Sequence, residues 1–237
     1  MVRRTRDEAL ETRNKILDTA ERVFSERGVS HTSLADIAHA AGVTRGAIYW
    51  HFRNKADLFD AMMNRVVLPM EEMAQRAGDA TLDDPLAYVR GCALNVLERV
   101  VRDPQCRRVF EICCHKCEYV NEMSQVRDRH IEGRNACLSH IEAGLRNAAA
   151  KGVLARGVNP RNAAVGLHAL VDGLIMNWIL DPGYLPLDKE AGRIVDLYLD
   201  GLRRAPRSPA AKQKRSRRTV RGEPVEPRTG YARQGRR

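Results

Sequence analysis

Between residues 7 and 204 apolar side chains return every three or four positions, and no stretch sustains the apolar–polar alternation that a half-buried strand requires. That periodicity confines the chain to an all-α fold. Residues 7–27 place Ile16, Leu17, Ala20, Val23 and Phe24 on one stripe and stop at Gly28, a residue suited to a left-handed C-terminal cap. Asn54, with Asp57 three residues on, opens a helix predicted over 54–77, and Pro69 within it predicts a kink. Asp84-Pro85, Asp103-Pro104 and Asn159-Pro160 pair a capping side chain with a proline at the first helical position, which predicts helices over 84–101, 103–116 and 159–180. A long helix over 120–151 carries Ile131, Leu138, Ile141, Leu145 and Ala148 inward and ends at Gly152; the last spans 187–204.

The chain has 237 residues, 43% of them hydrophobic, enough for a substantial core. Its net charge of +10 is unevenly placed: residues 205–237 hold 11 Lys/Arg and two Glu, leaving 29 basic and 28 acidic residues for the remainder. This tail is rich in Pro, Gly, Arg and Ser, so it is expected to be disordered, as a solubilising extension or a non-specific tether to nucleic acid. The N-terminal residues run into charge rather than an apolar signal core, and no window approaches the roughly 18 apolar residues of a membrane span. The expectation is a cytoplasmic protein without a membrane partner. There the six cysteines are expected to be reduced, which leaves metal binding, redox sensing or packing.

Three of the 12 Phe, Trp and Tyr residues, Tyr49, Trp50 and Phe52, fall within four positions, beside His51 and without a nearby acid. They end a segment in which Leu34, Ile37, Ala38 and Ala41 face inward, Gly42 permits a tight turn, and Val43, Ala47 and Ile48 return to the same core. Two short helices meeting at a glycine present an outer face with Thr44, Arg45 and Tyr49 but no carboxylate. Such a face suits the major groove, where phosphates repel acids. Core packing accounts for Trp50 and Phe52; it accounts less well for Arg45, Tyr49, His51 and Lys55 lying together on one side.

These residues carry a resemblance. TSLADIAHAAGVTRGAIYWHFRNKADLF, preceded by TRNKILDTAERVFSERG, resembles the N-terminal domain of TetR-type transcriptional repressors over about residues 10–60. MVRRT, EICCHKCE and LVDGLI are similar to the AcrR/TtgR-like branch that regulates multidrug efflux pumps. The resemblance implies a nine-helix, Ω-shaped homodimer that blocks a promoter until a small hydrophobic molecule binds. It implies a helix-turn-helix domain over 1–53 and a ligand-binding and dimerisation domain over 54–204, with the basic tail over 205–237 beyond them. The recognition helix would be residues 44–52: Thr44, Arg45 and Gly46 would approach base edges, with Arg45 reading guanine. Tyr49 and His51 would contact phosphates, Lys55 would add a charge, and Thr32 and Ser33 would meet phosphate at a helix N-terminus.

Two features belong to the remaining helices. Leu167, Leu170, Val171, Leu174, Ile175 and Trp178, then Ile194, Val195, Leu197, Tyr198, Leu199 and Leu202, give more apolar surface than one core-facing stripe needs, which suggests a subunit interface through the last two helices. Asp172 is the one acid on an otherwise apolar helix, so it either reaches solvent or a partner hydroxyl, or anchors the polar end of an apolar pocket. The resemblance favours the pocket, and implies that Val66, Val96, Cys137, Ile141, Val171 and Ile175 line it for an aromatic effector. Phe110, Cys114 and His168 depart from the branch pattern at pocket positions, removing polar anchors near the sixth helix and adding one on the eighth.

CCHKC at 113–117 places Cys113 and Cys117 on one helical face, but Cys114 lies about 100° around and a closed zinc site needs four convergent ligands. Packing is the default reading, and a thiol- or metal-responsive regulator sensing through Cys113, Cys114 and Cys117 is the alternative. No phosphate-binding glycine loop, nucleophile elbow or metalloprotease motif is present, so neither an enzyme nor a cofactor is expected.

Overall fold

The computed structural model describes residues 6–203, so expectations for MVRRT and for the basic tail lie outside the described residues. Among these there are nine α-helices and no strand: α1 Arg6–Arg27, α2 Leu34–Ala40, α3 Arg45–His51, α4 Lys55–Gln75, α5 Pro85–Arg102, α6 Pro104–His115, α7 Ser124–Ala150, α8 Pro160–Leu180 and α9 Leu187–Arg203. Single 3₁₀ turns, Arg76–Gly78 and Asn121–Met123, follow α4 and precede α7.

The start signals act through side chains. Asn54 accepts a hydrogen bond from the Asp57 amide at 2.8 Å, and Asp84, Asp103 and Asn159 each accept from amides in the first turns of α5, α6 and α8. The carboxylate of Asp57 accepts from the Arg53 amide, one residue before the reciprocal capping box expected. Helix α4 continues through Pro69, whose missing N–H leaves the Arg65 carbonyl without its helical donor. Gly28, at φ +80°, closes α1 with its amide on the Phe24 carbonyl.

One hydrophobic cluster runs from Ile16 on α1 to Leu199 on α9 without a break between α1–α3 and the later helices. The α1 stripe is buried as its spacing predicts. On α7, Leu138, Ile141, Leu145 and Ala148 are buried, but Ile131 is 37% exposed and Val126 fills the core nearer the N-terminus. Helix α7 approaches α5 where Gly144 has no side chain: a Cβ there would lie 2.7 Å from Val89. Contrary to the sequence expectation, α8 is by length and composition apolar enough to cross a membrane, with mean hydropathy 1.6. Ala163, Ala164, Leu167, Val171, Leu174, Ile175 and Trp178 of that helix instead pack into the core.

Candidate nucleic-acid interface and effector site

Ser33 caps α2 in a reciprocal box with Asp36: its hydroxyl accepts from the Asp36 amide, and the Asp36 carboxylate accepts from the Ser33 amide at 2.9 Å. The Ser33 hydroxyl, donating to the Asp36 carboxylate at 2.5 Å, and then the Ser33 amide hold that carboxyl below its usual range. Leu34, Ile37 and Ala38 seat α2 on the core; Gly42, at φ +62°, turns the chain, and the Val43 amide donates to the Ala38 carbonyl. The Thr44 hydroxyl then caps α3 by accepting from the Ala47 amide at 3.1 Å. Ile48 and Phe52 are buried and fix which side of α3 faces inward. Burying two such side chains contributes roughly 1.5–3 kcal/mol each, ample to orient a helix of two turns.

Thr44, Arg45, Gly46, Tyr49 and Trp50 consequently lie exposed together. The Arg45 guanidinium sits 5.7 Å from the centroid of the Tyr49 ring, a cation–π contact that orients the arginine along the helix. Trp50 differs from the expectation of a core aromatic: it is 73% exposed, touching the His51 ring edge-on at 4.5 Å. It stands one turn beyond Gly46 on the outermost line of α3, and sequence reasoning misses it because an apolar side chain by default counts as core.

Two other candidates are turned inward. Thr32 is buried and its hydroxyl donates to the Gly28 carbonyl at 2.8 Å, closing the α1–α2 turn. Lys55 is buried too, its Nζ donating to the carbonyls of Val29 at 2.9 Å and Thr32 at 3.0 Å and lying 2.9 Å from the Glu122 carboxylate. An ammonium has three donors, and all three are used within the subunit. The geometry thus gives both side chains to the subunit's own backbone, where the sequence led to the expectation of phosphate at Thr32 and an added charge at Lys55.

Around Asp172 the helices converge differently from an enclosed acid. Its side chain is 55% exposed and pairs with His168 Nδ1 at 3.0 Å, one turn back on α8. Val66, Ile141, Val171 and Ile175 are buried; Val96, Phe110, Cys114, Cys137 and His168 are half-buried. The charge of Asp172 reaches α6 and α7: burial first, then Asp172, pushes the Cys137 thiol up to about 11, and burial lowers the His130 pKa while Asp172 opposes that fall. Two open surface clefts, of about 470 and 410 Å³, lie along α1 and between α1, α4 and α7, away from Asp172.

Among the described residues no three His, Cys, Asp or Glu side chains are grouped to hold a metal ion. Burial pushes the thiols of Cys92 to about 11 and of Cys106 and Cys117 to about 12, so they stay protonated at neutral pH and are poor nucleophiles. Cys113 is buried and lies 2.9 Å from the Tyr119 hydroxyl; hydrogen bonds from Cys114 and then Tyr119 pull its pKa down against burial.

A helical body carrying a short, acid-free helix on a glycine turn defines a helix-turn-helix DNA-binding regulator. Residues 16–62 match the model of bacterial regulatory proteins of the tetR family, and residues 84–204 that of the MAATS-type transcriptional repressor C-terminal region. The chain is 42% identical over 206 residues to the HTH-type transcriptional regulator TtgR of Pseudomonas putida, covering 87% of this chain and 98% of TtgR. Its fold is similar to NalD, the secondary repressor of the MexAB-OprM multidrug efflux pump in Pseudomonas aeruginosa (TM-score 0.77, 36% identity, 83% of this chain and 98% of NalD). It is also similar to SmeT, the repressor of the Stenotrophomonas maltophilia multidrug efflux pump SmeDEF, in complex with triclosan (TM-score 0.74, 31% identity, 81% and 91% covered). The chain belongs to the TetR family of bacterial transcriptional repressors.

Proposed function

We propose that the protein represses a multidrug efflux operon as a homodimer on a palindromic operator, and that small aromatic or hydrophobic compounds release it. The observation that carries this reading is the exposed α3 face of Thr44, Arg45, Gly46 and Tyr49, with no acid between Asp36 and Asp57. Arg45 is the guanine reader, because its fork matches O6 and N7 of one base. Gly46 lets the helix backbone approach, Tyr49 and His51 position it on phosphate, and Trp50 adds apolar contact with thymine methyls. Ser33 lies exposed at the start of α2, where the helix N-terminus would meet phosphate.

Dimerisation runs through α8 and α9. Val165, Met176 and Leu180 on α8 are 45, 45 and 73% exposed, and Leu197 on α9 is 77% exposed. Exposed Ala169 and half-buried Gly173 lie between them, and a Cβ at Gly173 would meet nothing within 4 Å, leaving room for a second copy to approach closely. Two α3 helices then read half-sites about 34–36 Å apart.

The effector binds among α4, α6, α7 and α8, its apolar body against Val66, Val96, Phe110, Cys114, Cys137, Ile141, Val171 and Ile175 and its polar end on Asp172 and His168. NalD and SmeT are by name efflux-pump repressors, and SmeT binds triclosan, which supports an aromatic effector here. Release requires that the effector bind the DNA-incompetent conformer more tightly. The test is footprinting of the promoter of any adjacent efflux-pump operon, followed by triclosan titration of wild type and Asp172→Ala. Absence of a protected inverted repeat overturns the repressor reading, and equal release of both proteins overturns the role of Asp172.

A further inference from the structure

The buried ammonium of Lys55 sits where three segments meet. Val29 and Thr32, whose carbonyls it binds, form the α1–α2 turn immediately before the Ser33 cap of α2. Glu122, its ion-pair partner, belongs to the 3₁₀ turn of the α6–α7 linker. The same turn and linker touch twice more: the Val29 amide donates to the Lys116 carbonyl at 2.9 Å, and the Ser30 hydroxyl reaches Glu118 at 3.5 Å. On its other side the linker is braced to the helices around Asp172. Tyr119 donates to the Cys113 carbonyl of α6 at 3.2 Å and stacks on His130 of α7, with ring centroids 6.2 Å apart.

We infer that Lys55 is a positioning residue that pins the DNA-reading helices to the α6–α7 linker, and makes no contact with DNA itself. The chemistry follows from the donor count. Any phosphate contact by Lys55 would take its ammonium from two carbonyls and a carboxylate; the Val29 carbonyl would keep only a long bond from the Thr32 amide at 3.3 Å, and that loss inside the subunit outweighs what an exposed phosphate contact returns. Held in place, the ammonium fixes the turn that aims α2, and through α2 the exposed face of α3. Because the linker it grips also holds Cys113 and His130, Lys55 is where a change near Asp172 reaches the reading helices.

This inference rests on the proposed operator binding, and its test separates the two. An operator is first selected from a random duplex pool with the wild-type full-length protein; failure to enrich any sequence counts against the repressor reading and is seen before any variant is made. Affinity for that operator is then measured as a function of salt for wild type, Lys55→Met and Glu122→Gln. Removing a lysine that touches phosphate lowers the slope of log K against log salt by roughly 0.9 for each half of a dimer. The expected result is an unchanged slope in both variants with affinity lower by about tenfold in Lys55→Met and a few-fold in Glu122→Gln, because the reading helices are less preorganised. A shallower slope for Lys55→Met, or wild-type affinity in Glu122→Gln, overturns the inference. Glu122 is 55% exposed, so its substitution keeps the test available if Lys55→Met fails to fold.

Discussion

Gln105 on α6 donates from Nε2 to Oε1 of Glu21 on α1 at 2.7 Å. Glu21 is only 2% exposed and also lies 3.3 Å from Arg65 of α4, which in turn holds Asp18 at 2.7 Å. One buried carboxylate therefore joins α1, α4 and α6, the helix behind the reading unit and two that reach toward Asp172.

Burial raises the Glu21 pKa, against the opposing pull of Gln105 and Arg65. A carboxyl whose pKa is higher folded than unfolded contributes stability below its unfolded value, near 4.5, and loses that contribution as pH rises through the folded value. Glu21→Gln removes this loss while keeping an acceptor for Gln105. The melting temperature of the variant relative to wild type is expected to rise between pH 4 and neutrality, about pH 7; a constant difference across that window contradicts the assignment.

The exposed α3 face separates binding from stability. Arg45→Ala is expected to remove about 1–3 kcal/mol of specific binding per half-site, read by fluorescence anisotropy against the selected operator. Trp50→Ala should weaken operator binding several-fold without moving the melting temperature, and deoxyuridine in place of thymine should reproduce that loss in the wild type. Phe52→Ala should instead destabilise the fold by about 3–5 kcal/mol, since its ring is fully buried.

Leu197, 77% exposed on α9, has no place in the subunit core. Leu197→Arg is expected to leave the helical content intact and shift the sedimentation coefficient from dimer to monomer. A dimer that persists at micromolar concentration argues for a different interface.

Tyr198 on α9 donates to the Ala163 carbonyl of α8 at 2.7 Å by passing over Gly166, where an added Cβ would collide with the Tyr198 hydroxyl. Gly166→Ala should cost about 1–3 kcal/mol in chemical denaturation, and Tyr198→Phe in the same chain should restore part of it by removing the colliding oxygen.

Helix starts are legible because Asn54, Asp84, Asp103 and Asn159 cap amides two or three residues away, interactions contained in the local sequence. The outer face of α3 is legible for the same reason: Ile48 and the Gly42 turn fix its orientation locally. Trp50 is misread because Ile48 and Phe52 already fill the small inward side of a helix of seven residues. Lys55 and Thr32 are misread because their partners are backbone carbonyls, and for Lys55 also a carboxylate on a distant linker, neither of which a residue pattern displays. The pairing of Asp172 with His168 is at helical i,i+4 spacing and is open to inspection. The solvent exposure of Asp172 is not, since it depends on how α6, α7 and α8 splay.

Helix α4 runs from Lys55 at the reading end through Pro69 to Gln75, a continuous helix of 21 residues. At the usual rise it is about 30 Å long. With its far end as the fulcrum, a tilt of about 5° would carry its tip through roughly 2.6 Å, comparable with the spacing of about 3.4 Å between successive base pairs. A rotation that moves Val66, nine residues from that fulcrum, by roughly 1.2 Å would thus shift a half-site out of phase by most of one nucleotide step.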